Sequence, residues 1–477
     1  DFSFISALHF RFDTGKKLFF SFNPIMLIPM KKLLLLFFLY TPFHRASGQT
    51  EWIRRAGGQT PDLANSLWVD RDKNVFVAGS ISGKAKFYKT EVESRGGGDV
   101  FVAKYNRSGN LIWVKTFGGK LDDFASALTG DPDGNLYLAG VFTDSAAFEG
   151  QILSGKGTDL FVAKLNPAGH LVWVSKMATK GTALIQSIAV TDQGGVFTGG
   201  LFSGEFSEKE KLQYGQTDGF VCRLSLQGEV SWVKILGGPG FDEINLLKTD
   251  PWGRVLAAGN FDQFFLLEDQ TFEGQSSKSA FAIRMESTGD VLWTKIFSGK
   301  DAEIHVSDAT TDPDGQVYLC GKFSGETAFE STQVSSKGQS DIFVSAISKK
   351  GEIKWVSPLG GNDVEDALSI CLSQNQKSIL VSGFFNRFLE SGRKTLSADF
   401  PNQLMAGRWD LRGNLDELKK LEFHSDFQFT GKFLDSSGNL WLAGTFTQKA
   451  HFGKTSLVSG GEEDIFVAAQ SASKIAR

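Results

Sequence analysis

A tryptophan recurs along this chain at Trp52, Trp113, Trp173, Trp232, Trp293 and Trp355, with gaps of 61, 60, 59, 61 and 62 residues. A period of that size means one supersecondary unit copied end to end, and no local feature constrains the fold as strongly. Two further markers keep the same order and phase. Apolar runs ending in glycine stand at residues 75–79, 136–140, 196–200, 255–259, 317–321, 379–383 and 440–444. Runs of the form Asp-x-Phe-Val open at Asp99, Asp159, Asp218, Asp341 and Asp464, with degenerate copies at 279–284 and 402–407. Each of these two markers counts seven copies; the seventh tryptophan position falls at Glu417, where the indole is lost.

Each unit reads as strands. Segments of 5–8 residues rich in Val, Leu, Phe and Trp are bounded by Gly, Asp, Asn and Ser. In the clearest copy, 122–173, four strands are expected near 125–130, 136–142, 160–165 and 171–176. Pairs such as Asp133-Gly134, Asp314-Gly315 and Ser437-Gly438 supply reversals with positive φ. The stretch from Phe148 to Leu153 forms either a further hairpin or a loop. Four antiparallel strands repeated radially make a propeller blade, whose apolar faces only neighbouring blades can bury. The fold expected is therefore all-β: a seven-bladed β-propeller of four-stranded antiparallel blades. Usual propeller repeats run about 40–50 residues, so these blades carry long connections. The mature chain opens on a lone fourth strand, 51–55, carrying Trp52. That strand is expected to complete the last blade, 438–469, and so remove its open edge.

The unit Gly-Asn-x-Tyr/Phe-x-Ala-Gly, then Gly-x-x-Asp-x-Phe-Val-Ala-Lys, then Gly-x-x-x-Trp and Gly-Gly-x-x-x-Asp resembles the SBBP repeat, a bacterial β-propeller repeat family. The resemblance covers nearly all of residues 50–477, strongest in the second copy and poorest in the sixth. It implies a propeller on an exported bacterial protein, and it implies no reaction and no catalytic residue.

Ahead of the repeats, Met30-Lys31-Lys32, the apolar run 33–40 and Ala46-Ser47-Gly48 have the make-up of a signal peptide, 30–48. The start is expected at Met30, with residues 1–29 an upstream extension of no structural role, and cleavage after Gly48 leaves Gln49 first. The apolar run is short for a membrane span, so no stable membrane insertion is expected. Residues 49–477 then form one domain, exported to the periplasm, the cell surface or the medium. Without residues 1–48 the chain holds 44 basic and 52 acidic residues, a balance that disfavours nucleic acid as a partner. Cys222, Cys320 and Cys371 lie inside apolar strand patterns and read as small core residues; if any two pair, Cys320 with Cys371 is the better match.

Candidate chemistry was weighed against plain structure. Asp62, Asp123, Asp242 and Asp366 precede the innermost strands, and Asp99, Asp159, Asp218, Asp341 and Asp464 open the third. Residues repeated for the sake of the unit cap turns through backbone N–H groups. The Asp131-Pro132-Asp133-Gly134 and Asp312-Pro313-Asp314-Gly315 turns lack the further ligands of a calcium loop. The periodic tryptophans read as packing between blades, whereas Trp68, Trp252, Trp409 and Trp441 stand off the period and are better candidates for exposure, Trp252 above all. His170, His305, His424 and His451 share no metal-ligand spacing, and neither a P-loop nor a Gly-x-Ser-x-Gly elbow occurs. No catalytic, cofactor or metal residue is assigned.

The function expected is that of a non-catalytic exported propeller, a monomer that binds a protein or a glycan on one face. The connections at 260–274 and 386–400 vary between copies, as loops free to diversify do. The alternative is a secreted carbohydrate-active hydrolase or lyase, which needs non-repeated acidic, Tyr or His residues converging at the channel mouth.

Overall fold

A computed structural model describes residues 50–206, 211–212, 214–276, 278–424, 428–452 and 455–471. The upstream extension and the signal peptide expected at 1–48 lie outside the described residues. Every regular element described is a strand, and no helix is long and apolar enough to cross a membrane.

The strands group into successive four-stranded antiparallel units. In the second unit these are Phe124–Gly130, Leu136–Phe148, Gln151–Leu165 and Leu171–Met177, each hydrogen-bonded to the next. The same order repeats from Leu63 in the first unit, Ala183 in the third, Glu243 in the fourth, Ile304 in the fifth and Asp366 in the sixth. The last unit holds Gln428–Leu434, Asn439–Phe452 and Thr455–Ser471. Its fourth strand is Thr50–Gly58, paired antiparallel with Trp52 opposite Ala469 and Ala56 opposite Ile465.

The second and third strands run longer than the hydrophobic pattern indicated, because the stretch between them is a hairpin. In the second unit Ala146 and Phe148 are buried, and the reversal uses positive φ at Glu149 and Gly150. This hairpin pairs with the fourth strand of the preceding unit: Gly119 opposite Ala146, Gly58 opposite Ala85, Ser298 opposite Ala328. The variable connections at 260–274 and 386–400 are such hairpins too, Phe264–Leu267 with Gln270–Glu273 and Phe388–Ser391 with Lys394–Ser397. They join sheets rather than hang free.

This pairing accounts for the Gly-Gly-x-x-x-Asp signature. A Cβ on Gly119 would lie 1.8 Å from the Ser145 carbonyl oxygen in the neighbouring hairpin. A Cβ on Gly118 would lie 2.5 Å from the Asp99 carboxyl carbon. Two backbone approaches, each too close for any side chain, fix two consecutive glycines.

The apolar cores lie between sheets. One cluster combines Tyr137, Ala139 and Val162 of the second unit with Ile185, Phe202, Phe220 and Cys222 of the third. Another combines Val77 and Phe101 of the first unit with Trp441 and Val467 of the last. A fully buried Phe or Leu contributes about 1.5–3 kcal/mol, and here that contribution exists only when units are neighbours. The result is a propeller-like arrangement.

The periodic tryptophans lock these seams. Trp52 Nε1 donates to Arg107 O at 2.9 Å, Trp173 to Leu226 O at 2.9 Å, Trp232 to Ser287 O at 3.1 Å and Trp355 to Leu411 O at 3.0 Å. Each acceptor lies in the turn between the third and fourth strands of the next unit. Each indole covers that turn's glycine, and on Gly109, Gly169, Gly228, Gly289, Gly351 or Gly413 a Cβ would meet the ring at 2.5–3.2 Å. Glu417 has no such turn to cover, because the last unit's third and fourth strands, 455–471 and 50–58, are not joined by a hairpin. The side chain there pairs with Lys419 and lies 3.7 Å from Arg408 instead.

Two expectations are corrected. Trp409 and Trp441 are buried, because each occupies a strand position that other units fill with an apolar residue; Trp409 aligns with Tyr105, and Trp441 with Phe76. Trp68 is half-buried against Phe76, and Trp252 alone of the four is exposed, at 48 %. The cysteines, by contrast, agree with their reading as small core residues: all three are free, Cys222 and Cys320 are buried, and half-buried Cys371 donates Sγ to Asp435 O at 3.2 Å. In the sixth copy the markers slip by one residue: Gln403, not Asn402, takes the place of Asp99.

Candidate functional site

The first strand of each unit carries a bulge, and in all but the sixth, where the bulged residue is Leu368, its side chain bonds to the next unit's first strand. Asn65 Nδ2 donates to Ala125 O at 2.8 Å, Ser126 Oγ to Ile185 O at 2.5 Å and Thr430 Oγ1 to Ala64 O. In the third, fourth and fifth units the partner is a side chain instead. Gln186 Nε2 donates to Glu243 Oε2 at 2.8 Å, Asn245 Nδ2 lies 3.3 Å from His305 Nδ1, and Ser307 Oγ donates to Asp366 Oδ1 at 3.2 Å. Glu243, His305 and Asp366 occupy the position that Leu63, Phe124 and Leu184 hold in the first three units. The last unit has Gln428 there, so the column turns from apolar to polar over one arc that runs from the fourth unit to the last.

That arc borders a cavity of about 1030 Å³. Its wall includes Glu243, Asn260, His305, Lys322 and Asp366, with Phe261 buried in the lining and Phe241 61 % exposed. His305 Nδ1 lies 3.1 Å from Asn260 Oδ1. Burial, helped by Lys432 and Lys322 against the opposing field of Asp366, pushes the imidazole down to about 4, so it is neutral at pH 7. Lys322 Nζ lies 3.4 Å from Asp366, and Lys278 Nζ lies 2.5 Å from Glu303.

Further along the same strands, Asp308 is buried. It stands where Ser66 and Ser187 accept the next unit's backbone, from Leu128 N at 3.0 Å and Leu247 N at 2.9 Å. Asp308 accepts likewise from Ile370 N at 3.0 Å, and its extra charge is met by Lys248 Nζ at 2.8 Å. Burial raises a carboxyl pKa, but here the Lys248 ammonium and the hydrogen bonds from Ser369 and Ile370 N together outweigh it and hold Asp308 below its usual range.

The repeated aspartates cap turns. Asp123 accepts from Gly119 N at 2.7 Å and Thr143 N at 2.9 Å, Asp62 from Gly58 N at 2.7 Å and Asp242 from Gly238 N at 2.6 Å. The sixth-unit counterpart is Glu365, which accepts from Gly361 N at 2.9 Å, and not Asp366, which belongs to the cavity wall. With Glu365 in that role, the junction at Gly360-Gly361 has the same spacing as at Gly118-Gly119, with no additional residue. Asp99, Asp159, Asp218, Asp341 and Asp464 also accept backbone N–H groups, for example Tyr214 N on Asp218 at 2.7 Å and Gly460 N on Asp464 at 2.8 Å. In the turns that only open like a calcium loop, Asp131 accepts from Asp133 N and Asn135 N, and Asp312 from Asp314 N and Gln316 N, closing hairpins. Among the described residues no cluster of three or more His, Cys, Asp or Glu side chains has the geometry of a metal site.

Sequence reading missed Glu243, Asn245, Lys248, Asp308 and Lys322, and gave His305 and Asp366 no part in a site. The signal for Glu243, His305 and Asp366 was a column: aligned from the bulge, the first strands read Leu, Phe, Leu and then Glu, His, Asp, Gln at one position.

No family model matches the chain, so the SBBP resemblance is carried by the residues alone. Over 514 aligned positions it is 20% identical to an uncharacterized WD repeat-containing protein of Acanthamoeba polyphaga mimivirus, covering 83% of this chain and 36% of that protein. Over 240 positions it is 25% identical to the regulatory protein FlaEY of Caulobacter vibrioides, covering 48% of this chain and 25% of that one. The chain thus spans about a third and a quarter of the length of these two relatives. Among solved structures it is similar to the Pan2 WD40 domain of Neurospora crassa, with a TM-score of 0.43, 11% identity and coverage of 85% and 88%. It is also similar to BamB of Moraxella catarrhalis, with a TM-score of 0.38, 12% identity and coverage of 89% and 100%.

Proposed function

We propose that this chain is a non-catalytic binding module: a closed, seven-bladed propeller that holds a protein partner at the cavity bordered by its fourth, fifth and sixth units. Closure is supported by the Thr50–Gly58 strand on the last unit and by the Thr430 hydroxyl bonded to Ala64 O. The observation that carries the binding reading is the break in the repeat. Glu243, His305, Asp366 and, in the last unit, Gln428 stand where the first three units have apolar residues, and a change that the architecture does not demand points to a ligand where three of these residues border one cavity. Phe241 and Tyr214, each 61 % exposed, come from the loops that lead into the aspartate-capped turns beside it. Export is part of the same proposal and rests on the signal-like residues 30–48.

The test is a peptide array probed with the protein. Retention of defined peptides, lost in Phe241→Ser at unchanged Tm, is the expected result. Turnover of a small substrate with no peptide retained overturns it.

A second reading, a carbohydrate-active enzyme, is favoured by the same non-repeated Glu243, His305 and Asp366. Hydrolysis or elimination of a glycan that is lost in both Glu243→Gln and Asp366→Asn would support it, and an inert glycan panel removes it.

A further inference from the structure

Two hydrogen-bond acceptors are stranded behind the cavity wall, on side chains bonded to its lining residues. The Gln186 amide spends its Nε2 on Glu243, and the Asn245 amide spends its Nδ2 on Asn260 Oδ1 at 3.1 Å and on His305. Their oxygens, Gln186 Oε1 and Asn245 Oδ1, are buried with no hydrogen-bond partner. An acceptor stranded in that way carries an uncompensated desolvation penalty until a donor reaches it.

The charge points the same way. Lys278 and Lys322, the lysines of the wall, are taken by Glu303 and Asp366. Neutral His305 adds no positive charge. Glu243 and Asp301 line the cavity, and among the described residues no basic side chain pairs with either. Phe241 offers an exposed ring beside them.

A ligand group that is cationic, rich in N–H donors and able to lie against an aromatic face matches this wall. The guanidinium has five donors in a planar fork that suits a carboxylate and stacks on rings, whereas an ammonium is a compact point charge. We propose that the cavity seats an arginine side chain presented by the partner protein. The guanidinium sits on Glu243, within reach of the amide oxygens beside it, with Asp301 adding attraction from the rim. This rests on the binding reading above and names the group recognised.

The test uses the full chain and three peptides: acetyl-Gly-Arg-Gly-amide, its citrulline counterpart and its lysine counterpart, titrated calorimetrically. Citrulline keeps the shape and loses the charge. The arginine peptide is expected to bind at least tenfold more tightly than the citrulline peptide and more tightly than the lysine peptide. Glu243→Gln keeps an oxygen for Gln186, and it should cost tenfold or more for arginine with Tm unchanged. Asp301→Asn, on an exposed loop residue whose φ of 58° asparagine tolerates, should cost a smaller factor and rise in importance at low salt. Equal binding of arginine and citrulline peptides, or arginine binding indifferent to Glu243→Gln and Asp301→Asn, overturns the inference. If array peptides still bind in a Phe241-dependent way, the binding reading survives that outcome; if no peptide binds at all, both fall.

Discussion

The Ser369 hydroxyl donates to Asp308 Oδ2 at 2.6 Å, across the seam between the fifth and sixth units. With Ile370 N and Lys248 Nζ, it completes the solvation of a carboxylate that has almost no contact with water. A buried polar group left without its partner costs about 1–3 kcal/mol. Asp308→Ala strands Ile370 N and the Ser369 hydroxyl at once, while Lys248, 43 % exposed, keeps water, so a loss of about 2 kcal/mol or more is expected. Asp308→Ser combined with Lys248→Met, which restores the acceptor found at Ser66 and Ser187 and removes the orphaned charge, should recover most of that loss. Denaturant melts of the single and double variants measure the coupling.

The tryptophan seam makes a paired prediction. Trp232→Phe removes the bond to Ser287 O with part of the ring packing and should cost about 1–2 kcal/mol, whereas Trp232→Ala opens a cavity over Gly289 and should cost about 3–5 kcal/mol. Glu417→Trp should bring no gain, because no hairpin turn lies opposite it. A stabilised Glu417→Trp would show that the indole works without its turn.

Gly119→Ala drives a methyl into the Ser145 carbonyl at 1.8 Å and should break the pairing between the first and second units. A cost of about 3 kcal/mol or more is expected, against well under 1 kcal/mol for an ordinary surface substitution. Faster amide exchange at Ala146 and Ala147 would locate the damage.

Several buried carboxyls titrate unusually high. Burial raises Asp62, Asp123 and Asp218 to about 6 and Asp242 and Glu365 to about 7, with a neighbouring carboxylate (Asp464, Asp99, Asp218 or Asp341) adding to the rise for all but Asp218. A folded-state pKa above the unfolded value stabilises fully below the unfolded pKa and loses that contribution as pH rises through the folded one. Tm should therefore increase from pH 8 to pH 5.5, the five carboxyls outweighing His305, whose depressed pKa works against the rise below its ordinary value, and then decline as Asp308, also depressed, loses its contribution at lower pH. A Tm that falls steadily from pH 8 to pH 5.5 contradicts this assignment.

With no disulfide to reduce, dithiothreitol should leave Tm unchanged. Burial raises the thiol pKa of Cys320 and Cys371. A thiol-specific reagent should label the folded chain slowly and reach all three cysteines only in denaturant.

Strand positions, the turn glycines and the pairing of Trp52 with the last unit were legible because each is written several times over. Repetition averages away the noise of any one copy. The site was not legible for the same reason: Glu243, His305 and Asp366 matter by differing from their counterparts, and markers chosen for recurrence cannot show a difference. The assignment of Asp366 to a cap shows how this fails. Matching aspartate to aspartate shifted the register by one residue, hid Glu365 and placed a cavity residue among the structural ones. Trp409 and Trp441 failed differently, since an indole off the period can still fill a core position that other units give to Tyr or Phe.

Trp52, Trp173, Trp232 and Trp355 each rest on a glycine turn with the ring nitrogen on a carbonyl. Four fluorophores in near-identical surroundings make the chain its own optical gauge. A red shift in their emission reports that sheets have parted, even while far-ultraviolet dichroism still records intact strands.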